Sequence, residues 1–167
     1  MRALLVLVLA GLAGCSGESG SVTAAQASTD LERAAIARGL VRDPAEMRLA
    51  GLYARDTDRV CIRPREGGDA RIGAFVDYGD GITCSGVGTV RQEGETLHVT
   101  LGQPGACAFD ARFDGAAIRF PGTVPVGCAA LCAKRASLSG LEVTLLSESD
   151  AEAAALRDAG GRRLCAD

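Results

Sequence analysis

The hydrophobic pattern of this chain changes period near Leu52, and this change is what most limits the fold. From there to Leu146, apolar and polar residues alternate in short runs, separated by glycine-rich or charged turns such as residues 66–69. The clearest run is residues 96–101, where one face would carry Leu97, Val99 and Leu101, and the other Thr96, His98 and Thr100. A period of two is typical of a half-buried strand. The pattern therefore predicts a mainly β domain.

A hairpin is predicted after that strand. Apolar Phe109, Ala111 and Phe113 alternate with charged residues, Asp114-Gly115 is a turn dipeptide, and the alternation then resumes through Phe120. Comparable short runs occupy residues 59–63, 71–78, 82–91 and 141–145. About seven or eight short strands with few helices between them favour a small antiparallel β-barrel or sandwich.

Helices are predicted on both sides of the strands. Thr29–Glu32 has the pattern of a capping box that starts a helix to about Arg38, closed by Gly39, and residues 43–46 suggest a second short helix. Ser149 would cap a last helix that runs to about Asp158 and is ended by glycines 160 and 161. Residues 126–136 would form a helical turn or a looped segment. We therefore expect a short helical segment over residues 29–50, followed by a β-rich domain over 51–167.

The N-terminus has the layout of an export signal. Met1 and Arg2 precede an unbroken apolar run over residues 3–13, which Ser16 and Glu18 stop well short of the ~20 residues that a membrane-spanning helix needs. Residues 1–14 are therefore predicted to be a signal peptide rather than a permanent span.

The residues at the end of the apolar run, Leu12-Ala13-Gly14-Cys15, resemble the lipobox of bacterial lipoproteins. The resemblance implies that the Cys15 thiol receives a diacylglyceryl group, that cleavage leaves Cys15 as the first residue, and that its amine is acylated. Several acyl chains would anchor the protein firmly to a membrane. Residues 15–28, small and polar, are then expected to form a flexible linker. Ser16 at the following position is the kind of residue that permits transfer to the outer membrane in enteric bacteria, so we expect the periplasmic face of that membrane.

Six further cysteines follow the lipobox. In an oxidising compartment an even number of cysteines predicts disulfides, here three bridges in any of fifteen pairings. The chain has no Trp, four Phe and two Tyr, so its core depends on small aliphatic residues and would gain from such crosslinks. The candidates are Cys61, Cys84, Cys107, Cys128, Cys132 and Cys165.

Charge and motif spacing argue against several ligand classes. Eighteen Lys and Arg are dispersed among 21 Asp and Glu, with a net charge of −3, and nucleic-acid binding needs a clustered basic surface. Three residues separate Cys128 from Cys132, whereas the redox motif has two, so a structural role is favoured over redox or metal chemistry. Asp77–Gly81 lacks the calcium-loop spacing and is interpreted as a turn. No metal or cofactor is predicted.

Catalysis would have to pass through His98, the single histidine. Its place on the polar face of a strand favours an exposed surface residue, because a hydrolase also needs a nucleophile and an orienting carboxylate. Cys84-Ser85-Gly86 resembles a nucleophile elbow only superficially, since the glycine before the serine is missing and the segment lies in a strand pattern. No catalytic residue is predicted.

These observations favour a non-enzymatic, lipid-anchored envelope protein that binds another envelope protein or a cell-wall element. The general layout resembles that of the lipid-anchored inhibitors of c-type lysozyme, which combine a lipobox, a compact antiparallel barrel and disulfides; the resemblance is architectural and implies no binding residues. One alternative is a carrier of a lipid or other apolar molecule inside the barrel, in a cavity lined by residues such as Leu97, Val99, Leu101, Phe109 and Phe113. The other is a hydrolase that uses His98.

Overall fold

The computed structural model describes residues 24–40 and 48–166, which belong to two compact units, residues 1–41 and 42–167. In the first unit, helix α1 spans Ala24–Ala37. It ends in a turn where Gly39 has a φ of 68° and donates its N–H to the Ile36 carbonyl at 2.9 Å. Glycine takes this left-handed conformation without steric cost, which confirms Gly39 as the stop signal.

The predicted start of α1 at Thr29 is wrong, because the helix begins at Ala24 and Thr29 lies within it. The predicted linker over residues 15–28 therefore overlaps the helix from Ala24 onward. The physical reason is that residues 24–27, Ala-Ala-Gln-Ala, are strong helix formers and extend the helix past the capping signal. The helix predicted at residues 43–46 lies outside the described residues.

The second unit is a closed antiparallel barrel of eight strands in which each strand pairs with its neighbours in sequence, and the last pairs with the first. The strands are β1 Gly51–Arg55, β2 Asp58–Arg63, β3 Ala70–Asp77, β4 Thr83–Glu93, β5 Thr96–Leu101, β6 Cys107–Phe113, β7 Ala117–Arg119 and β8 Glu142–Ser147. This confirms the mainly β prediction and selects the barrel over the sandwich.

The predicted hairpin is formed by β6 and β7. Asp114 N–H bonds to the Ala117 carbonyl at 3.3 Å, and its carboxylate accepts the N–H groups of Ala116 and Ala117 at 3.0 and 2.7 Å. An aspartate that bonds the backbone ahead of it is a common way to fix a tight turn. The ladder between these strands consists of Arg112↔Arg119 and Phe113↔Ile118, whereas β5 and β6 pair over six positions. The barrel is thus closed most weakly at β7.

The barrel interior is filled by side chains from alternate strand positions. The largest of them are less than 2% exposed, and Tyr53 and Phe113 pack edge to face at 6.2 Å. One cluster contains, among others, Val60, Ile62, Ile72, Leu97, Leu101, Ile118 and Val143. Burial of each such side chain stabilises the fold by about 1.5–3 kcal/mol.

The six cysteines of the described chain form three disulfides: Cys61–Cys165, Cys84–Cys132 and Cys107–Cys128. The last two join the starts of β4 and β6 to a 3-10 helix, Val126–Leu131, and the residue after it. An ideal Cβ on Gly86 would lie 3.1 Å from the Leu131 side chain, and one on Gly102 would lie 3.0 Å away. The 3-10 helix, called the capping segment below, therefore covers that end of the barrel.

The C-terminal part packs on the outer face of the barrel. Helix α2 spans Asp150–Ala155, with the Ser149 hydroxyl accepting the Glu152 N–H at 3.4 Å, so the predicted cap is confirmed. The predicted end near Asp158 is wrong, because the chain turns at Leu156, whose carbonyl accepts the Leu164 N–H at 3.0 Å. Buried Cys61, Ala153, Leu164 and Cys165 form a second apolar cluster here. Neither described helix has the length and apolarity needed to cross a membrane.

Candidate functional site

The end of the barrel opposite the capping segment carries an open cleft. Strand β2 ends here, β3 begins here and β4 ends here, and residues 48–50 lead into β1. The cleft has a volume of about 440 Å³ and is lined by Arg48, Leu49, Ala50, Ile62, Pro64, Arg65, Gly68, Asp69, Ala70, Val90 and Gln92. We call it the mouth cleft. Ile62 and Val90 are each 1% exposed and belong to the barrel core, so the floor of the cleft is apolar.

The rim of the mouth cleft carries charge. Arg48, Arg65 and Asp69 are exposed, and none of them has a hydrogen-bond or ion-pair partner among residues 24–40 and 48–166. Two nearby arginines behave differently. Arg63 binds Asp150 through two nitrogens at 2.7 and 2.9 Å, and Arg71 donates to the Leu164 carbonyl at 3.3 Å. Arg63 and Arg71 therefore hold the C-terminal part in place, whereas the rim residues Arg48 and Arg65 are available to a ligand.

The walls of the mouth cleft are held by hydrogen bonds to the barrel. The Tyr53 hydroxyl donates to the Leu49 carbonyl at 2.9 Å, and the Tyr53 side chain is fully buried. Burial raises the pKa of the Tyr53 phenol well above its usual value, so this hydroxyl remains a donor at physiological pH. On β4, Gln92 Nε2 donates to the Gly94 carbonyl at 2.9 Å. The strand ends and the hydrogen bond of the buried Tyr53 side chain therefore set the shape of the cleft.

His98 lies on the outer face of β5 between two carboxylates. Its Nδ1 is 2.7 Å from Asp110 Oδ1 on β6, and its Nε2 is 3.2 Å from Glu93 Oε2 on β4. The hydrogen bond to Asp110, and then that to Glu93, raises the pKa of His98. The side chain is 35% exposed, which matches the predicted surface position. The carboxylate at each nitrogen stabilises the imidazolium form relative to the neutral ring.

Ser85, the serine of the elbow-like motif, lies on β4, far along that strand from the residue that pairs with His98. Arg91 pairs with His98, and six residues of strand separate it from Ser85, roughly 20 Å. The Ser85 hydroxyl instead bonds Asp158 Oδ2 and Arg162 Nη2, each at 3.1 Å. Partial burial raises the pKa of Asp158, but the hydrogen bonds from Arg162 and Ser85 outweigh it and leave that pKa below its usual value. Histidine and serine are not brought together.

The Asp77–Gly81 segment forms a turn between β3 and β4, as interpreted from the sequence. Tyr78 N–H bonds to the Ile82 carbonyl at 3.0 Å, and the Asp77 carboxylate accepts the Gly79 N–H at 2.8 Å. Over the described residues, no group of three or more His, Cys, Asp and Glu side chains is placed to hold a metal ion.

Cys128 and Cys132 bind different strands rather than each other. Cys128 pairs with Cys107 and Cys132 with Cys84, which crosslinks the capping segment at its middle and just after its last residue. Their role in the structure is crosslinking.

The residues predicted to line an interior cavity for the carrier alternative lie in the packed core. Leu97, Val99, Leu101 and Phe113 are at most 1% exposed and belong to one contact cluster. Phe109 is partly buried and packs against Phe120, with ring centroids 4.8 Å apart. These side chains contact one another where the carrier hypothesis requires open space.

Sequence reasoning missed the mouth cleft. Its residues come from three separate stretches, 48–50, 62–70 and 90–92, each of which has the composition of an ordinary turn or strand end. The single available signal was the pair of glycines at 67 and 68, with φ values of 103° and 98°, which marks the turn that exposes Arg65 and Asp69. Cys15, the predicted lipidation site, lies outside the described residues.

The fold and these sites define a small disulfide-crosslinked antiparallel barrel with a filled interior, a capping segment at one end and the mouth cleft at the other. Comparison of the chain with protein-family models, with curated proteins and with solved structures found no match. The functional argument therefore depends on the chain's own residues.

Proposed function

We propose that this protein is a lipid-anchored envelope protein whose barrel is a non-enzymatic binding module. The observation that carries the proposal is the state of the cysteines. The chain has seven, and the six in the described residues form three disulfides, which leaves Cys15. Three disulfides in a chain of this size are typical of an oxidising, exported environment. The remaining cysteine sits where the lipobox-like tetrapeptide calls for lipid.

The binding role is supported by how the polar groups are arranged. His98 is held by two carboxylates, Ser85 is bonded to Asp158 and Arg162, and the two are far apart on the surface. A Ser–His hydrolase needs the base within hydrogen-bond reach of its nucleophile. The shallow surface cavity at His98 is lined by Val99, Thr100, Ala108, Phe109 and Asp110 and offers neither serine nor cysteine. The arrangement favours binding over hydrolysis.

The carrier alternative is less well supported than the binding module. It requires an interior cavity, whereas the side chains that would line it are packed against one another. A binding module uses its outer surface, and the mouth cleft, whose charges have no partner among residues 24–40 and 48–166, is a surface feature suited to recognition. The proposed partner is an envelope component, and the proposed location is the periplasmic face of the outer membrane.

The test of anchoring is the intact mass of the protein purified from membranes of its native host, with and without reduction. We expect an acylated N-terminal Cys15 and a gain of about six mass units on reduction of three disulfides. A Cys15→Ser variant should leave the membrane fraction, while the neighbouring Ser16→Ala variant should stay acylated. An unmodified mass, or a Cys15→Ser protein that remains on the membrane, would refute the anchor.

The non-enzymatic part is tested separately with a fluorophosphonate probe, which labels activated serines. We expect no labelling of the folded protein and the same result for His98→Gln. Labelling of Ser85 that disappears in His98→Gln would establish the hydrolase instead.

A further inference from the structure

We propose that the mouth cleft binds a carboxylate carried on a single short apolar chain. This deepens the proposed function, on which it rests, because it assigns a site and a ligand class to the binding module. The argument uses the charge of the rim, the apolar floor and the size of the cleft.

The rim charges favour an anion of charge one. Arg48 and Arg65 are exposed at the cleft and have no partner among residues 24–40 and 48–166, and within these same residues Asp69 is the one acidic side chain that lines the cleft. Two cations and one anion leave a net charge of +1. Guanidinium groups match the planar geometry of a carboxylate and bind it through two parallel hydrogen bonds. A ligand group with two negative charges would match the net charge of the rim less well than a carboxylate does.

The rim arginines differ from two neighbouring arginines, Arg63 and Arg71, which are held by other parts of the described chain. Arg63, two residues before Arg65, is fully engaged by Asp150 and the Cys165 carbonyl, the latter at 3.0 Å. Arg71, which follows Ala70 of the lining, is engaged by Leu164. The arginines that face the C-terminal part are used to hold it, whereas the arginines at the cleft hold nothing within the described chain.

The floor and size of the cleft favour one short apolar chain. Ile62 and Val90 form the floor, and Leu49, Ala50 and Ala70 add apolar surface around it. A volume of about 440 Å³ lies in the lower part of the range for pockets that hold small organic ligands. That space suits a single chain better than a two-chain lipid. A chain that lies on the floor places its carboxylate at the level of the rim arginines.

The cleft is also preorganised on one side. The Leu49 carbonyl is held by Tyr53, whose ring is fixed by burial against Phe113. A wall that is already ordered costs less conformational entropy when a ligand binds. Ligand binding would mainly order the two exposed rim arginines.

The test is a titration of the full-length protein with octanoate, and with octan-1-ol as a neutral probe of the same chain length, followed by amide chemical shifts. We expect octanoate to shift the amides of Arg65, Asp69, Ala70 and Gln92, and octan-1-ol to bind about three- to tenfold more weakly. Arg48→Gln and Arg65→Gln should each weaken octanoate binding by a similar factor and leave the binding of octan-1-ol unchanged. Asp69→Asn should strengthen octanoate binding about two- to threefold, because it removes the like charge.

Arg135→Gln is the matched control. Arg135 is exposed, lies beyond the capping segment, and likewise has no partner among residues 24–40 and 48–166, so its loss removes one positive charge without touching the cleft. Equal binding of octanoate and octan-1-ol, or an equal loss in Arg135→Gln and Arg65→Gln, would overturn the proposal. Shifts confined to another surface would overturn it as well, and so would cleft shifts that appear without ligand when the protein is concentrated, because these report a contact between two copies of the chain. None of these results bears on the intact mass of the protein purified from membranes, so failure of this proposal is distinct from failure of the anchor.

Discussion

His98 Nδ1 on β5 lies 2.7 Å from Oδ1 of Asp110, the residue directly opposite it on β6. This hydrogen bond and the one that His98 Nε2 donates to Glu93 raise the His98 pKa above its ordinary value of about 6.5. Because the folded pKa is raised, the stabilisation from this cluster is fully present below pH 6.5 and is lost as the pH rises through the folded pKa. His98 is the single histidine, so one imidazole resonance reports its titration in NMR.

We expect the Asp110→Asn variant to lower the His98 pKa toward its ordinary value. The matched control is Glu95→Gln in the turn between β4 and β5, since Glu95 bonds Arg112 at 2.9 Å rather than His98. A native pKa at or below 6.5, or a pKa that Asp110→Asn leaves unchanged, would contradict the hydrogen-bond assignment.

Gly88 allows β4 and β5 to approach closely. It pairs with Leu101, and an ideal Cβ at this position would lie 1.8 Å from the Thr100 carbonyl oxygen. A backbone atom cannot move aside as a flexible side chain can, so Gly88→Ala is expected to lower the free energy of unfolding by at least about 2 kcal/mol. Urea unfolding measures the loss.

Gly122→Ala provides the comparison for Gly88→Ala. Gly122 is exposed, and a Cβ there would meet no heavy atom within 4 Å. Its substitution should change the free energy of unfolding by less than about 0.5 kcal/mol. Similar losses in the two variants would show that close strand approach is not what Gly88 provides.

The strands could be predicted from the sequence because their burial alternates with a period of two. Strand β5 was placed at its observed bounds for this reason, and the β6–β7 hairpin followed from a turn dipeptide between two alternating runs. The start of α1 was missed since two local signals competed there, a cap at Thr29 and strong helix formers before it, and the helix formers prevailed. Short-range sequence patterns therefore predict individual strands, turns and helices.

The disulfide pairing and the mouth cleft could not be predicted, because both depend on contacts between distant residues. Cys61 and Cys165 are 104 residues apart, and no spacing rule links them. The cleft likewise joins Arg48 to Asp69 and Gln92 only when the barrel closes. Which of the seventeen arginines form ion pairs or hydrogen bonds depends on the folded structure, and their dispersed positions in the sequence do not predict it.

The Cys61–Cys165 disulfide is expected to hold the C-terminal part on the barrel. Replacement of both cysteines by alanine should lower the free energy of unfolding by about 2–5 kcal/mol, since the unfolded chain regains the freedom of a long closed loop. Limited proteolysis should also cut near Leu164 sooner, because the second apolar cluster loses its crosslink. Denaturant unfolding and cleavage rates give the two readouts.

The Cys107–Cys128 pair tests the loop-length part of that argument. This disulfide joins residues only 21 positions apart. Replacing both of its cysteines by alanine should therefore lower the free energy of unfolding by less than the loss of the Cys61–Cys165 bridge. An equal or larger loss would show that packing of the capping segment, rather than loop closure, governs the contribution of the bridges.

The packing of the barrel interior can be tested at Leu97, which is fully buried among the core residues of β5 and its neighbours. In a filled core, Leu97→Ala leaves a cavity and should lower the free energy of unfolding by about 2–5 kcal/mol. In a barrel built to hold a ligand, the side chain would already border open space and its truncation would cost far less. Leu146→Ala is the control, because Leu146 on β8 is 62% exposed and its truncation should change stability by no more than about 0.5 kcal/mol. Denaturant unfolding of both variants separates a filled barrel from a carrier: a loss at Leu97 as small as that at Leu146 would restore the carrier as the better hypothesis.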